Sequence, residues 1–287
     1  MSNEYRFSKL TLLYNITLDI TAKSPIRIGS GRGGTSPLES DLPVVKDSNG
    51  NPIIPGSSLK GFFRANFLRL LNGLNISNPS NYVHEIFGKA DASSAYASRV
   101  LFTEAYPTST PLLLIRKHIQ INPMTGGVSH GPFDVEYVAE GSKFEGKVVA
   151  RNLSPSYLAF IAATASLANA GFAKLGGFKS RGYGLVEIYV KNIEITLVGG
   201  KKDAKFETEL FLNNKKVKII FQNIGDHRFQ AEEFTNGNKL SEIAFDAETV
   251  EKNDIFSIAL KVENPDEFLD GVLASFAKYI QGDFAVK

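Results

Sequence analysis

Apolar and polar residues alternate strictly near the start of the chain. Ile16, Leu18 and Ile20 share one face and Asn15, Thr17, Asp19 and Thr21 the other, which is the period of a half-buried strand. The alternation stops at Lys23. From there to Pro55 glycine, serine, proline and aspartate dominate, with Gly29-Ser30-Gly31-Arg32-Gly33-Gly34 among them, and a loop of that length inside a compact domain is functional or disordered. A helical period then takes over. Leu59, Phe63, Phe67, Leu70 and Leu71 form an apolar stripe behind Ser57 and Ser58, either of which is suited to cap the helix, while Lys60 and Arg64 lie one turn apart on its flank.

Strands are predicted over 99–104 and 144–151, separated by a polar, glycine-containing excursion over 117–141. Ser154-Pro155 opens a second helix whose Leu158, Ile161, Ala162 and Ala165 make a small-residue stripe ending near Gly171. β structure resumes over 184–190 and 193–197. The order is βαββαβ, so the fold class expected is α+β, with a ferredoxin-like (RRM-like) core in which two helices back one antiparallel sheet. Beyond Gly199-Gly200, strands over 217–221 and 256–262 and a closing helix capped by Asn264 or Asp266 are expected, with Phe268, Val272, Leu273, Phe276 and Ile280 on its apolar positions. The division expected is a core over 1–200 carrying loop and hairpin insertions, then an acidic C-terminal extension or small lobe over 201–287.

Charge sharpens this division. The net charge of +2 conceals a balance of +6 over residues 1–200 (20 Lys/Arg, 14 Asp/Glu) and −4 over 201–287 (12 and 16), so a phosphate-binding surface belongs in the first part. The absence of cysteine excludes disulfides, thiolate nucleophiles and Cys-based zinc sites. His84, His118, His130 and His227 lack the close spacing of a histidine metal site. No apolar run is long enough to span a bilayer and the first residues are too polar for a secretory signal, so a cytoplasmic protein without membrane contact is expected.

Two segments are built to approach an anion. In Pro55-Gly56-Ser57-Ser58-Leu59-Lys60-Gly61 a turn runs straight into a helix, leaving free backbone N–H groups beside two hydroxyls and a lysine. A plainly capped helix would look the same. In the segment from Leu175 to Gly184, four glycines in nine residues, Gly176, Gly177, Gly182 and Gly184, surround Lys179 and Arg181. Glycine admits close backbone approach and the cations supply countercharge. The segment leads into a strand and not a helix, so it is neither a Rossmann nor a Walker loop, and a glycine-rich hairpin turn is the mundane alternative.

The residues Ile28-Gly29-Ser30-Gly31, Asp41-Leu42-Pro43-Val44-Val45-Lys46-Asp47 and Pro52 through Gly61 with Arg64 resemble the N-terminal signature of the RAMP superfamily, the repeat-associated proteins of CRISPR systems. The Leu175–Gly184 segment is similar to that family's glycine-rich loop. Within the superfamily the chain looks most like the backbone subunit of type III effector complexes, and the resemblance spans about residues 10–190. It implies that Asp41, two residues before Pro43-Val44, serves target-RNA cleavage with a divalent metal, Mg2+ or Mn2+. It implies further that Arg32, Ser57, Ser58, Lys60, Arg64, Gly177, Lys179, Arg181 and Gly182 contact guide-RNA phosphates. By the same resemblance the 117–141 excursion is a β-hairpin thumb whose Ile119, Ile121, Met124 and Thr125 wedge between bases. The implied partners are guide RNA, target RNA, identical copies stacked head to tail and other effector subunits.

Three functions remain open on the sequence. The chain is an endoribonuclease subunit cutting target RNA at regular intervals, a structural RNA-binding subunit in which Asp41 is incidental, or a guide-processing endoribonuclease. The last calls for a histidine general base. Only His84 and His118 are candidates, and neither lies in the two phosphate-approaching segments. Asp47, in the turn Asp47-Ser48-Asn49-Gly50, is expected to be structural.

Overall fold

The computed structural model describes residues 7–31, 40–91, 95, 97–201, 204–251 and 257–284. The alternating segment forms β1 (Leu12–Ala22), with Leu12, Tyr14, Ile16, Leu18 and Ile20 fully buried. The helical stripe forms α1 (Gly56–Gly73), which buries Leu59, Phe62, Phe63, Phe67 and Leu71. Its start differs from the expectation. Pro55, and not Ser57 or Ser58, is the N-cap, and its carbonyl accepts from the Ser58 and Leu59 N–H groups at 2.9 and 3.1 Å. Gly56 is required for packing, because a Cβ there would lie 2.3 Å from the Phe102 carbonyl oxygen.

A short helix that the periodicity did not bring out, α2 (Pro79–Phe87), follows before β2 (Val100–Phe102), β3 (Tyr106–Pro107), β4 (Leu113–Ile121), β5 (Val128–Val138) and β6 (Lys143–Arg151). A 3-10 turn, Pro155–Leu158, leads into α3 (Ala159–Asn169), and the glycine-rich segment folds back through another, Lys179–Arg181, into β7 (Val186–Val198). The two strands expected here are one, carried past a register shift opposite Thr17 and Leu18 of β1. After residue 200 come β8 (Phe206–Leu212), β9 (Lys215–Gly225), β10 (Arg228–Thr235), β11 (Asn238–Glu251), β12 (Ser257–Val262) and α4 (Pro265–Phe284).

Among the described residues the fold is α+β, with a 10-stranded sheet ordered β2-β6-β1-β7-β12-β11-β10-β9-β8, β3 pairing β6 to one side, and β4-β5 as a separate hairpin. Every pairing in the large sheet is antiparallel. β12 lies beside β7, so the strands after residue 200 continue the sheet of the first part. α1, α3 and α4 pack in succession, and their rings meet: Phe67 stands 6.5 Å from Phe160 and 5.7 Å from Phe276, and Tyr157 5.4 Å from Tyr279. Burying each such aromatic contributes about 2–3 kcal/mol.

Two buried polar hubs join the parts. The Glu233 carboxylate of β10, 0% exposed, accepts from the Ser154, Ser156 and Ser241 hydroxyls at 2.5, 2.7 and 2.6 Å and from the Ser156 N–H at 2.9 Å. Arg99, also buried, pairs with Glu85 of α2 at 2.8 Å and donates to the Asn152 and Phe211 carbonyls at 2.7 and 2.8 Å. A buried charge is tolerated only when its hydrogen-bonding capacity is met, and both hubs meet it by linking distant segments.

Candidate nucleic-acid interface

The glycine-rich segment closes on itself and docks against the start of the long loop. Leu175 N–H donates to the Gly184 carbonyl, Gly184 N–H to Pro25 and Gly177 N–H to Arg27, each at 2.8 Å. Gly176 has φ +86°, and a Cβ there would meet the Arg27 carbonyl oxygen at 2.3 Å, so this glycine serves backbone packing within the chain. The docking opens a cleft of about 620 Å³ between the loop and α1, lined among others by Arg27, Ser58, Arg69, Gly176, Gly177 and Lys179. Burial lowers the pKa of the Arg27 guanidinium, with the nearby Tyr183 opposing, and the group keeps its charge.

The expected RNA-binding residues do not gather in one place. Ser58, Gly177 and Lys179 line the cleft. Lys60 and Arg64 do not; at 100° per residue they lie across the helix from Ser58 and Arg69. Burial, then the neighbouring Arg64, lowers the Lys60 pKa, and burial followed by Arg64 and Lys89 lowers that of His84. Arg181 and Gly182 are exposed on the outer turn of the loop, and Ser57 is exposed in the first turn of α1. Arg32 lies outside the described residues.

The hairpin begins at Leu113, four residues earlier than expected, and its tip carries Asn122–Gly127 with Met124 91% exposed. Ile119, Ile121 and Thr125 are exposed as well. At its base β5 receives the segment 40–44 along the edge that β4 leaves open: Leu42 N–H donates to the Asp134 carbonyl and Glu136 N–H to Leu42, at 3.0 and 3.1 Å. This places Asp41. Its exposed carboxylate accepts the Asp134 N–H through Oδ2 at 2.7 Å, while the Asp134 carboxylate pairs with Lys117 at 2.9 Å. Among the described residues no group of three His, Asp or Glu is disposed to hold a metal ion. Asp41 therefore fits a hard cation only in the manner of sites completed by phosphate oxygens and water. Asp47 stays in its turn. Its carboxylate accepts the Asn51 and Asn49 N–H groups at 2.9 and 2.8 Å, and these bonds, the one to Asn51 foremost, hold its pKa low.

The largest departure concerns His118. Nothing near it in the sequence ties it to a phosphate-approaching segment, yet the fold sets it against one. Its ring stacks on Phe178 at 5.4 Å, and its Nε2 lies 3.1 Å from the Tyr183 hydroxyl. Burial, then Arg181 and Arg116, lowers its pKa and keeps the ring neutral. Phe178 adopts a left-handed backbone, φ +54°, which costs about 1–2 kcal/mol and turns its ring toward Arg27 and Arg181, whose guanidinium carbons stand 5.3 and 4.9 Å from it. A fold-imposed meeting of residues 27, 118, 178, 181 and 183 carries no local signature in a sequence.

No helix among the described residues is long and apolar enough to cross a membrane. No curated protein matches the chain. Among the solved chains similar to it are two at 15% identity: one described as type III-B Cmr-beta in the apo state (TM-score 0.46, covering 62% of this chain and 97% of that one), the other as type III-B Cmr-beta bound to cognate target RNA (TM-score 0.45, covering 61% and 96%). The family model of the RAMP superfamily matches residues 19–187. That stretch runs from β1 through the long loop, the cleft and the hairpin to the start of β7, and the chain belongs to the RAMP superfamily.

Proposed function

We propose that the chain is a guide-RNA-binding backbone subunit of a type III CRISPR effector complex and that it cuts guide-paired target RNA. The observation that carries this is the convergence of Arg27, Arg69, Lys179 and Arg181, none with a carboxylate within ion-pair distance among the described residues, on ground that ends beside Asp41 and the exposed hairpin. Cations that no protein carboxylate neutralises suit phosphates. The strand order β2-β6-β1-β7 with α1 and α3 behind it is read as the ferredoxin-like plan, and the hairpin as the wedge that splays nucleotides. Identical copies would stack head to tail, because one such domain covers only part of a guide.

In this reading the Asp134 N–H fixes one oxygen of Asp41 and directs the other toward the scissile phosphate. The carboxylate orients the 2′-hydroxyl of a splayed nucleotide for attack on its own phosphate; the P–O5′ bond breaks as the P–O2′ bond forms and the proton passes through solvent to the leaving oxygen, giving a 2′,3′-cyclic phosphate and a 5′-hydroxyl, and the hydroxyl requirement selects RNA. A divalent cation, Mg2+ or Mn2+, held by Asp41 and RNA oxygens would supply polarisation of the phosphate. Asp41→Asn in an assembled, guide-loaded complex is expected to abolish cutting and leave target binding within twofold. Continued cutting at regular intervals would replace this with the scaffold reading. Cutting that survives Asp41→Asn and disappears on His118→Asn would favour guide processing, for which the fold provides a histidine against the glycine-rich loop.

A further inference from the structure

Arg116 is a residue that neither the RAMP signature nor the cleft includes. It lies on β4 opposite Val135, on the face of the hairpin that it shares with His118 and Phe133, while Lys117 points to the other face and pairs with Asp134. The two neighbouring cations are treated differently. Lys117 has its carboxylate; Arg116 is exposed and, among the described residues, has none within ion-pair distance, but rests its guanidinium on the rings of Tyr137 and Tyr183 at 5.1 and 5.7 Å. Arg181 approaches the same ground from the glycine-rich loop. Both arginines face the His118 imidazole and the Tyr183 hydroxyl.

Two guanidiniums brought to one place with no carboxylate within ion-pair distance among the described residues repel each other, and ring contacts hold them there. The groups between them add no negative charge. Burial raises the Tyr183 pKa, with Arg116 opposing, so the phenol keeps its proton, and His118 is neutral. A doubly positive site that offers guanidinium forks selects phosphate over neutral ligands.

We propose that Arg116 and Arg181 form a second phosphate site at the base of the hairpin, separate from the cleft, which binds a phosphodiester of the RNA strand as it passes from Lys179 over Phe178 toward Asp41. This rests on the RNA-binding reading above. Tyr183 is a positioning residue that holds Arg116 in the site.

The test measures affinity of the full chain for a single-stranded RNA across a salt series, for Arg116→Gln, Arg181→Gln, Arg116→Lys and, as control, Lys179→Gln. Each Gln variant is expected to lower the slope of log K against log salt by about 0.7, the value for one phosphate contact on a single strand. Arg116→Lys should keep the slope and bind severalfold more weakly, because it keeps the charge and loses the fork. RNA carrying one methylphosphonate linkage at the contacted position should make Arg116→Gln and the unaltered chain bind alike, which free inorganic phosphate as the true ligand would not produce. An unchanged slope in Arg116→Gln with a lowered slope in Lys179→Gln would overturn the second site and leave RNA binding standing. An unchanged slope in all variants would overturn both.

Discussion

The junction between the two parts of the chain and the base of the hairpin hold the same kinds of side chain and use them in opposite ways. At the junction Arg99 and Glu233 are buried and every partner they need comes from the protein. At the hairpin Arg27, Arg116 and Arg181 lean on aromatic rings and lack carboxylates among the described residues. A charge whose partners all come from the fold is structural; cations that the fold gathers without a carboxylate are open to a partner from outside it.

The largest effect is expected at Glu233. Replacing it with Ala leaves three hydroxyls and one N–H without their buried acceptor, and should destabilise the fold by about 3–5 kcal/mol in denaturant unfolding. Arg99→Met comes next, at about 3 kcal/mol, because it leaves Glu85 buried without its cation; Glu85→Gln in the same chain should return part of the loss. If either variant unfolds at the wild-type midpoint, the junction is not held as described. At the hairpin base Arg27→Gln should move the unfolding midpoint little and weaken RNA binding by about 1 kcal/mol at moderate salt.

The smallest effect is a pH dependence. His118 titrates below the ordinary imidazole value of about 6.5. The unfolded chain therefore takes up a proton before the folded one does. The stability given by the neutral ring is complete above about pH 6.5 and declines as pH falls below it toward the lowered folded value. His84 contributes with the same sign. Unfolding midpoints measured between pH 7.5 and 5.5 should decline less steeply for His118→Gln than for the unaltered chain, and parallel profiles would remove His118 from the contact.

Regular patterns were legible where burial imposed them. β1, α1 and α4 follow from alternation and helical stripes, since each presents one face to a core. β8 was missed although Phe206, Thr208, Leu210 and Leu212 alternate with Glu207, Glu209 and Phe211, because the acidic composition masked a period of two. α2 was missed because it is short and begins after a left-handed Asn78, though Asn78-Pro79 is a start signal. The site was legible only in its backbone segments. Ser58, Gly177 and Lys179 meet across about 120 residues because glycine permits the docking, whereas Arg116 and His118 reach the loop through hairpin register, and no spacing encodes that. Lys60 and Arg64 came with the motif, and helical phase turned them to another face.

β12 covers the side of β7 that the first part of the chain would otherwise leave unpaired. An unpaired strand is a template on which a second molecule can add its own backbone. In the large sheet the outermost strands among the described residues are β2, only three residues long, and β8, whose Glu207 and Glu209 are tied to Lys205, Lys218 and Lys216. Brevity disarms one margin and bound charge the other. Neither margin of the large sheet therefore offers a long, bare edge on which a second molecule could continue it.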